Sequence, residues 1–141
     1  MMNVFLDTDV IIDYLTDRNP FAERAEKVFA LIEQHKINGF TSALCFSNIY
    51  YLIRQYHTHQ KAISILKNLA DLLSILKVDA NIVLGALDSG FNDFEDAIQY
   101  FTAKDQKKMD AIVTRNIRDF RKSTLPAVTP DTLVRSYSDQ L

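Results

Sequence analysis

In 141 residues the chain has one cysteine, three glycines and three prolines. The lone thiol, Cys45, has no partner for an internal disulfide, so the fold is not a cross-linked scaffold. Cys45 sits in Ala43-Leu44-Cys45-Phe46 and reads as a small buried group, not a reactive one. Scarce glycine and proline exclude a low-complexity or linker-rich chain. There is no apolar run of about 18 residues, which excludes a transmembrane helix. The amino-terminal apolar stretch is broken by Asp7 and Asp9 and does not read as a leader peptide. A cytoplasmic protein without a membrane segment is expected. Charge of one sign is missing too: the formal net charge is −2, so any nucleic-acid binding must use a local basic patch. The three histidines, His35, His57 and His59, are not spaced among the acids as a zinc site requires.

What is present is an ordinary globular composition, 48% hydrophobic and 24% charged. It suits one domain over residues 1–141, a size that buries roughly 68 to 70% of the unfolded surface. The organising stretch is Val4-Phe5-Leu6-Asp7-Thr8-Asp9-Val10-Ile11-Ile12-Asp13. An apolar run too short for a helix ends in two carboxylates, and apolar residues then resume at helical spacing. This predicts a strand over 2–6, an acidic turn, and a helix over 10–16 capped by Asp9 or Thr8. Asp13 reads as part of a solvated face.

Amphipathic spacing predicts helices over 20–36, 43–57 and 59–72, with Pro20 in the first turn of one and Ser42 and Thr58 capping the others. The helix over 43–57 is apolar around most of its circumference and should be central. Asn38-Gly39 reads as a turn before a short strand at Phe40-Thr41. Strands follow at 74–78, 111–114 and 127–129. Asp79 caps a helix over 80–87, Asp93, Glu95 and Asp96 crowd the first turn of a helix over 94–102, and Pro130 opens a closing helix to about 138.

Strands that alternate with helices predict an α/β fold, a three-layer α/β/α sandwich around a mostly parallel sheet of four to five strands. In such sheets ligands bind at the carboxyl ends of the strands. Asp7 and Asp9, Ser42, and Thr114, Asn116 and Asp119 all fall there, and Asp96 joins them if its helix turn reaches the same edge. Two carboxylates about 4 Å apart repel by about 4 kcal/mol at an effective dielectric near 20. A cluster of Asp7, Asp96 and Asp119 therefore needs protons or a cation, and all-oxygen ligands favour Mg²⁺ or Mn²⁺. Arg115, Arg118, Arg121 and Lys122 lie beside the last of these acids, where they form a candidate phosphate-binding patch.

Four pieces taken together resemble the PIN-domain family, which includes the toxins of VapBC toxin–antitoxin systems. They are Phe5-Leu6-Asp7-Thr8-Asp9-Val10-Ile11-Ile12-Asp13, Thr41-Ser42-Ala43-Leu44, Asp93-Phe94-Glu95-Asp96-Ala97-Ile98-Gln99 and Ile112-Val113-Thr114-Arg115-Asn116-Ile117-Arg118-Asp119-Phe120. The resemblance covers essentially the whole chain. It implies a Mg²⁺- or Mn²⁺-dependent endoribonuclease, the toxin of a toxin–antitoxin pair, with an antitoxin protein as partner and a homodimer as the assembly. By the same resemblance Asp7, Asp96 and Asp119 are the catalytic metal ligands, with Asn116 a further oxygen donor and Asp9, Asn48 and Thr114 in support. The chain departs from the family on the helix after Ser42: where a Glu is usual it has Ser47-Asn48, and Asn116 replaces a frequent Asp. This thinner acidic set leaves a second reading, a PIN-like module that binds RNA or protein without cutting. A third is a haloacid-dehalogenase-like phosphatase, since Leu6-Asp7-Thr8-Asp9-Val10 fits the start of that family, with Asp7 as nucleophile and Asp9 as acid.

Overall fold

Residues 1–138 are described by a computed structural model. Among them, five strands and seven α-helices alternate: β1 (Met2–Leu6), α1 (Thr8–Thr16), α2 (Ala22–Glu33), β2 (Ile37–Ser42), α3 (Ala43–Ile53), α4 (His59–Leu72), β3 (Ser74–Leu76), α5 (Ala80–Leu87), α6 (Phe94–Gln106), β4 (Ala111–Val113), β5 (Ala127–Val128) and α7 (Pro130–Ser138). A 3₁₀ turn, Ile117–Phe120, lies between β4 and β5. The sheet runs β3-β2-β1-β4-β5 with every pair parallel. β1 is therefore central, and its apolar run follows from having both faces covered.

Val4 and Leu6 enter one core with residues of α1, α2, α3, α4 and α7, such as Val10, Phe29, Ile49, Leu69 and Leu133. Phe5 points the other way, into a core with Phe40, Leu76 and Ile112 and with Tyr100 and Ala103 of α6. Ile82 and Ala86 tie α5 to α6 through Ala97 and Ile98. The result is the three-layer α/β/α sandwich that the alternation of elements predicts.

Ser42, Thr58 and Asp79 cap their helices as expected: each side chain accepts a backbone N–H three residues on, from Cys45, Lys61 and Ile82. Other details differ. The α3 helix ends at Ile53, and only Cys45, Ile49 and Ile53 are buried, so it lies against the sheet on one face instead of threading the core. On α4 the buried positions are Ala62 and Leu69, while Ala70 faces solvent. Pro20 precedes α2, which starts at Ala22.

Asn38-Gly39 is not a turn but lies inside β2, paired with Asn3 and Val4 of β1. Reversal occurs earlier, at His35 with φ 57 and a Lys36 N–H bond to the Leu31 carbonyl at 2.9 Å. Gly39 serves packing: a Cβ there would lie 2.6 Å from Leu73 Cδ2 and 2.7 Å from Ile32 Cδ1. Both neighbours are buried, so neither moves freely. Gly39→Ala is expected to cost about 1–3 kcal/mol, read as a lower urea midpoint; an unchanged midpoint would contradict this packing role.

Candidate functional site

From β1 the chain builds outward through β2 to β3, then crosses back to place β4 on the other side of β1. Strand order reverses between β1 and β4, and a crevice opens at their carboxyl ends. Asp7 follows β1 there, and Thr114 follows β4. The Asp7 N–H bonds the Val113 carbonyl at 2.9 Å, which extends the ladder one step beyond β1.

Asp7 is 5% exposed and occupies the N-cap position of α1, yet its side chain caps nothing. Instead Oδ2 accepts the Thr114 hydroxyl at 2.7 Å, and Thr114 Oγ1 in turn accepts the Asn116 N–H at 3.0 Å. Asp9 is not the cap that its position suggests; it lies within the first turn of α1, where its charge acts on Asp7. Burial chiefly pushes the Asp7 carboxyl up to about 6, with Asp9 adding to the rise and hydrogen bonds from Thr114 and Gln99 opposing it.

The first turn of α6 does reach this edge. Asp93 is its N-cap and accepts the Asp96 N–H at 3.0 Å. Thr8 fixes the contact: its hydroxyl donates to Glu95 Oε1 at 3.1 Å and lies 3.4 Å from Cys45 Sγ, and its N–H donates to Gln99 Oε1 at 3.3 Å. Asp96 is pushed up to about 7, by burial first and then by the negative charges of Asp7, Asp93, Asp119 and Glu95. Asp7, Asp96 and Asp119 are thus near enough to act on one another through Asp96.

Asp119, in the 3₁₀ turn, lines a small cleft of about 30 Å³ with Asp93, Asp96, Arg118, Arg121 and Lys122. That is room for a water or an ion and little more. Lys122 Nζ donates to the Gly90 carbonyl, which ties this turn to the loop before α6. The side chains expected in support divide here. Thr114 touches Asp7; Asn116 contributes its backbone N–H and is exposed; and Asn48 is exposed on α3, outside the lining of the cleft.

Arg115 does not stand with the phosphate patch. Its Nε lies 2.8 Å from Asp13 Oδ2 and its guanidinium 4.0 Å above the Phe21 ring. Asp13, far from being solvated, has a side chain 2% exposed, with Arg18 Nε 3.8 Å away as a second cation. The helical period predicts which turn of α1 carries Asp13, but not that the Arg following Thr114 would fold back over it.

Gln99 was not singled out from the sequence. The available signal is a polar amide in the run Ala97, Ile98, Gln99 and Tyr100, all buried on α6. Glu95 and Gln99 stand four residues apart, so both meet Thr8 from one helix face.

Among the described residues, no group of three or more His, Cys, Asp or Glu side chains is arranged to hold an ion by itself. The donor chemistry nevertheless fits a hard divalent ion. The acids are oxygen donors, the charges around Asp96 raise its pKa, and a cation relieves that repulsion. Mg²⁺ is commonly bound through one or two carboxylates with waters completing its shell, so a closed cage is not required.

A family model described as "PIN domain" matches residues 3–118. Ribonuclease VapC1 of Aquifex aeolicus (strain VF5) is 26% identical over 133 residues, 91% of this chain and 90% of that protein. VapBC-1 from nontypeable Haemophilus influenzae superposes with a TM-score of 0.68 at 17% identity, over 92% of this chain and 99% of that one. A toxin–antitoxin complex from Klebsiella pneumoniae gives 0.66 at 21% identity, over 90% and 97%.

Proposed function

The chain belongs to the PIN-domain family, and from that membership we propose that it is a Mg²⁺- or Mn²⁺-dependent endoribonuclease, the toxin of a toxin–antitoxin pair. The observation that carries this reading is the clustering of acids felt at Asp96, where Asp7, Asp93, Asp119 and Glu95 all oppose its ionisation. Carboxyls shifted in this way cluster at functional sites, and a divalent ion relieves the repulsion. The names of the relatives, a ribonuclease and toxin–antitoxin complexes, support the substrate class and the antitoxin partner. Family membership also removes the phosphatase reading.

In this proposal Asp7, Asp96 and Asp119 would hold the ion, with Asn116 a neutral oxygen donor near Asp119. Bound there, it would supply an activated water and neutralise charge on the phosphoryl group. The chain's own residues do the rest. Thr114 holds Asp7 by its Oδ2, Asp93 orders the turn that presents Asp96, and Arg118, Arg121 and Lys122 draw the phosphate backbone toward the cleft. Arg115 is assigned to structure and not to RNA.

Purified protein mixed with RNA and Mn²⁺ should release fragments, and EDTA should stop it. Asp96→Asn is expected to lower the cleavage rate at least about a hundredfold, beyond the range for residues that merely hold a ligand in place. Cleavage that survives Asp96→Asn would sink the site assignment. Failure of the unsubstituted protein on varied RNAs would leave a module that binds RNA without cutting.

A further inference from the structure

We propose that Gln99 is a positioning residue that joins the two principal acids, holding the Asp7 carboxylate at a set place relative to Asp96. This inference rests on the metal-dependent reading above and adds a residue to it.

Gln99 is 2% exposed on α6, three residues after Asp96. An amide buried among apolar neighbours costs free energy unless its polar atoms are bonded, so Gln99 is no neutral filler. Its Oε1 accepts the Thr8 N–H at 3.3 Å, at the start of α1 and directly after Asp7. With the oxygen engaged, the amide nitrogen is the end left toward Asp7, whose ionised form it favours. One side chain of α6 thus bonds the backbone that directly follows Asp7.

The Asp7 carboxylate itself accepts the Thr114 hydroxyl on Oδ2. A carboxylate has about four lone-pair positions, so most remain for a ligand. Because Gln99 and Asp96 share one rigid helix, the bond from Gln99 to the Thr8 N–H sets the place of Asp7 relative to Asp96. A neutral amide suits this place. A lysine or arginine would compete with a bound cation, and an apolar residue would leave the Thr8 N–H without its partner.

Gln99→Met keeps the volume and removes the hydrogen bond to Thr8. By titration calorimetry the variant should bind Mn²⁺ about 10 to 100 times more weakly than the parent, the range seen when the support of a ligating group is lost. In RNA cleavage kcat should fall at least about tenfold while KM for RNA stays within about twofold, since no RNA contact is altered. A purely structural role would lower the melting temperature without separating kcat from KM. If Gln99→Met fails to fold, Gln99→Asn retains a shorter amide and should show a smaller loss of Mn²⁺ affinity. Parental Mn²⁺ affinity in whichever variant folds overturns the inference and leaves the nuclease reading standing. No Mn²⁺ binding by the parent overturns both.

Discussion

Asp7→Asn is expected to abolish RNA cleavage and, in metal-free buffer, to stabilise the protein. Both effects come from one placement, a carboxylate seated almost out of water at the end of the central strand. Burial and the charge of Asp9 push its pKa from the ordinary 3.8 up to about 6. An acid whose pKa is raised by folding prefers its proton in the folded state. Stability is therefore lost as pH rises from 3.8 through 6 and stays low above that. The penalty at neutral pH is on the order of 3 kcal/mol for a shift of this size. Asn has nearly the same shape, never ionises, and still accepts the Thr114 hydroxyl.

In EDTA the variant should melt higher than the parent at about pH 7, and the two should converge as pH falls toward 4. With Mn²⁺ and RNA it should be inactive, a trade of stability for function that marks a site strained for use. A variant no more stable than the parent would show that folding does not raise the Asp7 carboxyl. Retained cleavage would remove Asp7 from the site.

Arg115→Met should cost about 3–5 kcal/mol, a large loss of stability for a single change. Arg115 is the close cation facing a buried Asp13, with its side chain 20% exposed and packed over Phe21. Removing it strands a carboxylate from which water is excluded, and Arg18, 3.8 Å away with its side chain 43% exposed, replaces little of the lost interaction. A domain with 5 to 15 kcal/mol of total stability loses a large part of it. Burial already raises the Asp13 pKa against the pull of both arginines, so the variant should recover partly as pH falls and Asp13 takes up a proton.

Adding Asp13→Asn to Arg115→Met removes the stranded charge and should recover most of the loss by urea unfolding. No recovery in the double variant would show that Arg115 acts through Phe21 packing and not through the ion pair. Either result separates Arg115 from Arg118, Arg121 and Lys122, whose removal should weaken RNA binding with little effect on stability.

Much of this site is legible as residue type and position. Asp7 stands out because it ends an apolar run at the carboxyl edge of the sheet, whereas Asp96 shares an acidic, dipole-complementing first turn with Asp93 and Glu95 and is singled out by the resemblance to the family. Two readings failed for one reason, that a local pattern does not report what packs against it. Asn38-Gly39 has turn composition, but Ile32 and Leu73 crowd the backbone at Gly39 and a strand runs through it. Asp13 follows a helical period that suits a solvated face, and Arg115, about a hundred residues away, buries it. Gln99 has the opposite history: nothing in its neighbours on the chain marks it, because its bond reaches the start of α1.

The sequence by itself determined the α/β class, the order of elements, the caps at Ser42, Thr58 and Asp79, and the acids at the strand ends. All of these rest on periodicity and on contacts within a few residues. Only the tertiary structure decided that β1 lies between β2 and β4, so that Asp7 meets Thr114, and that α6 turns its first residues toward them. It also decided which charged groups are spent inside the fold, Asp13 with Arg115, and which are left facing the cleft. Burial and Coulomb interactions act through space, and their partners here are separated by about a hundred residues of chain.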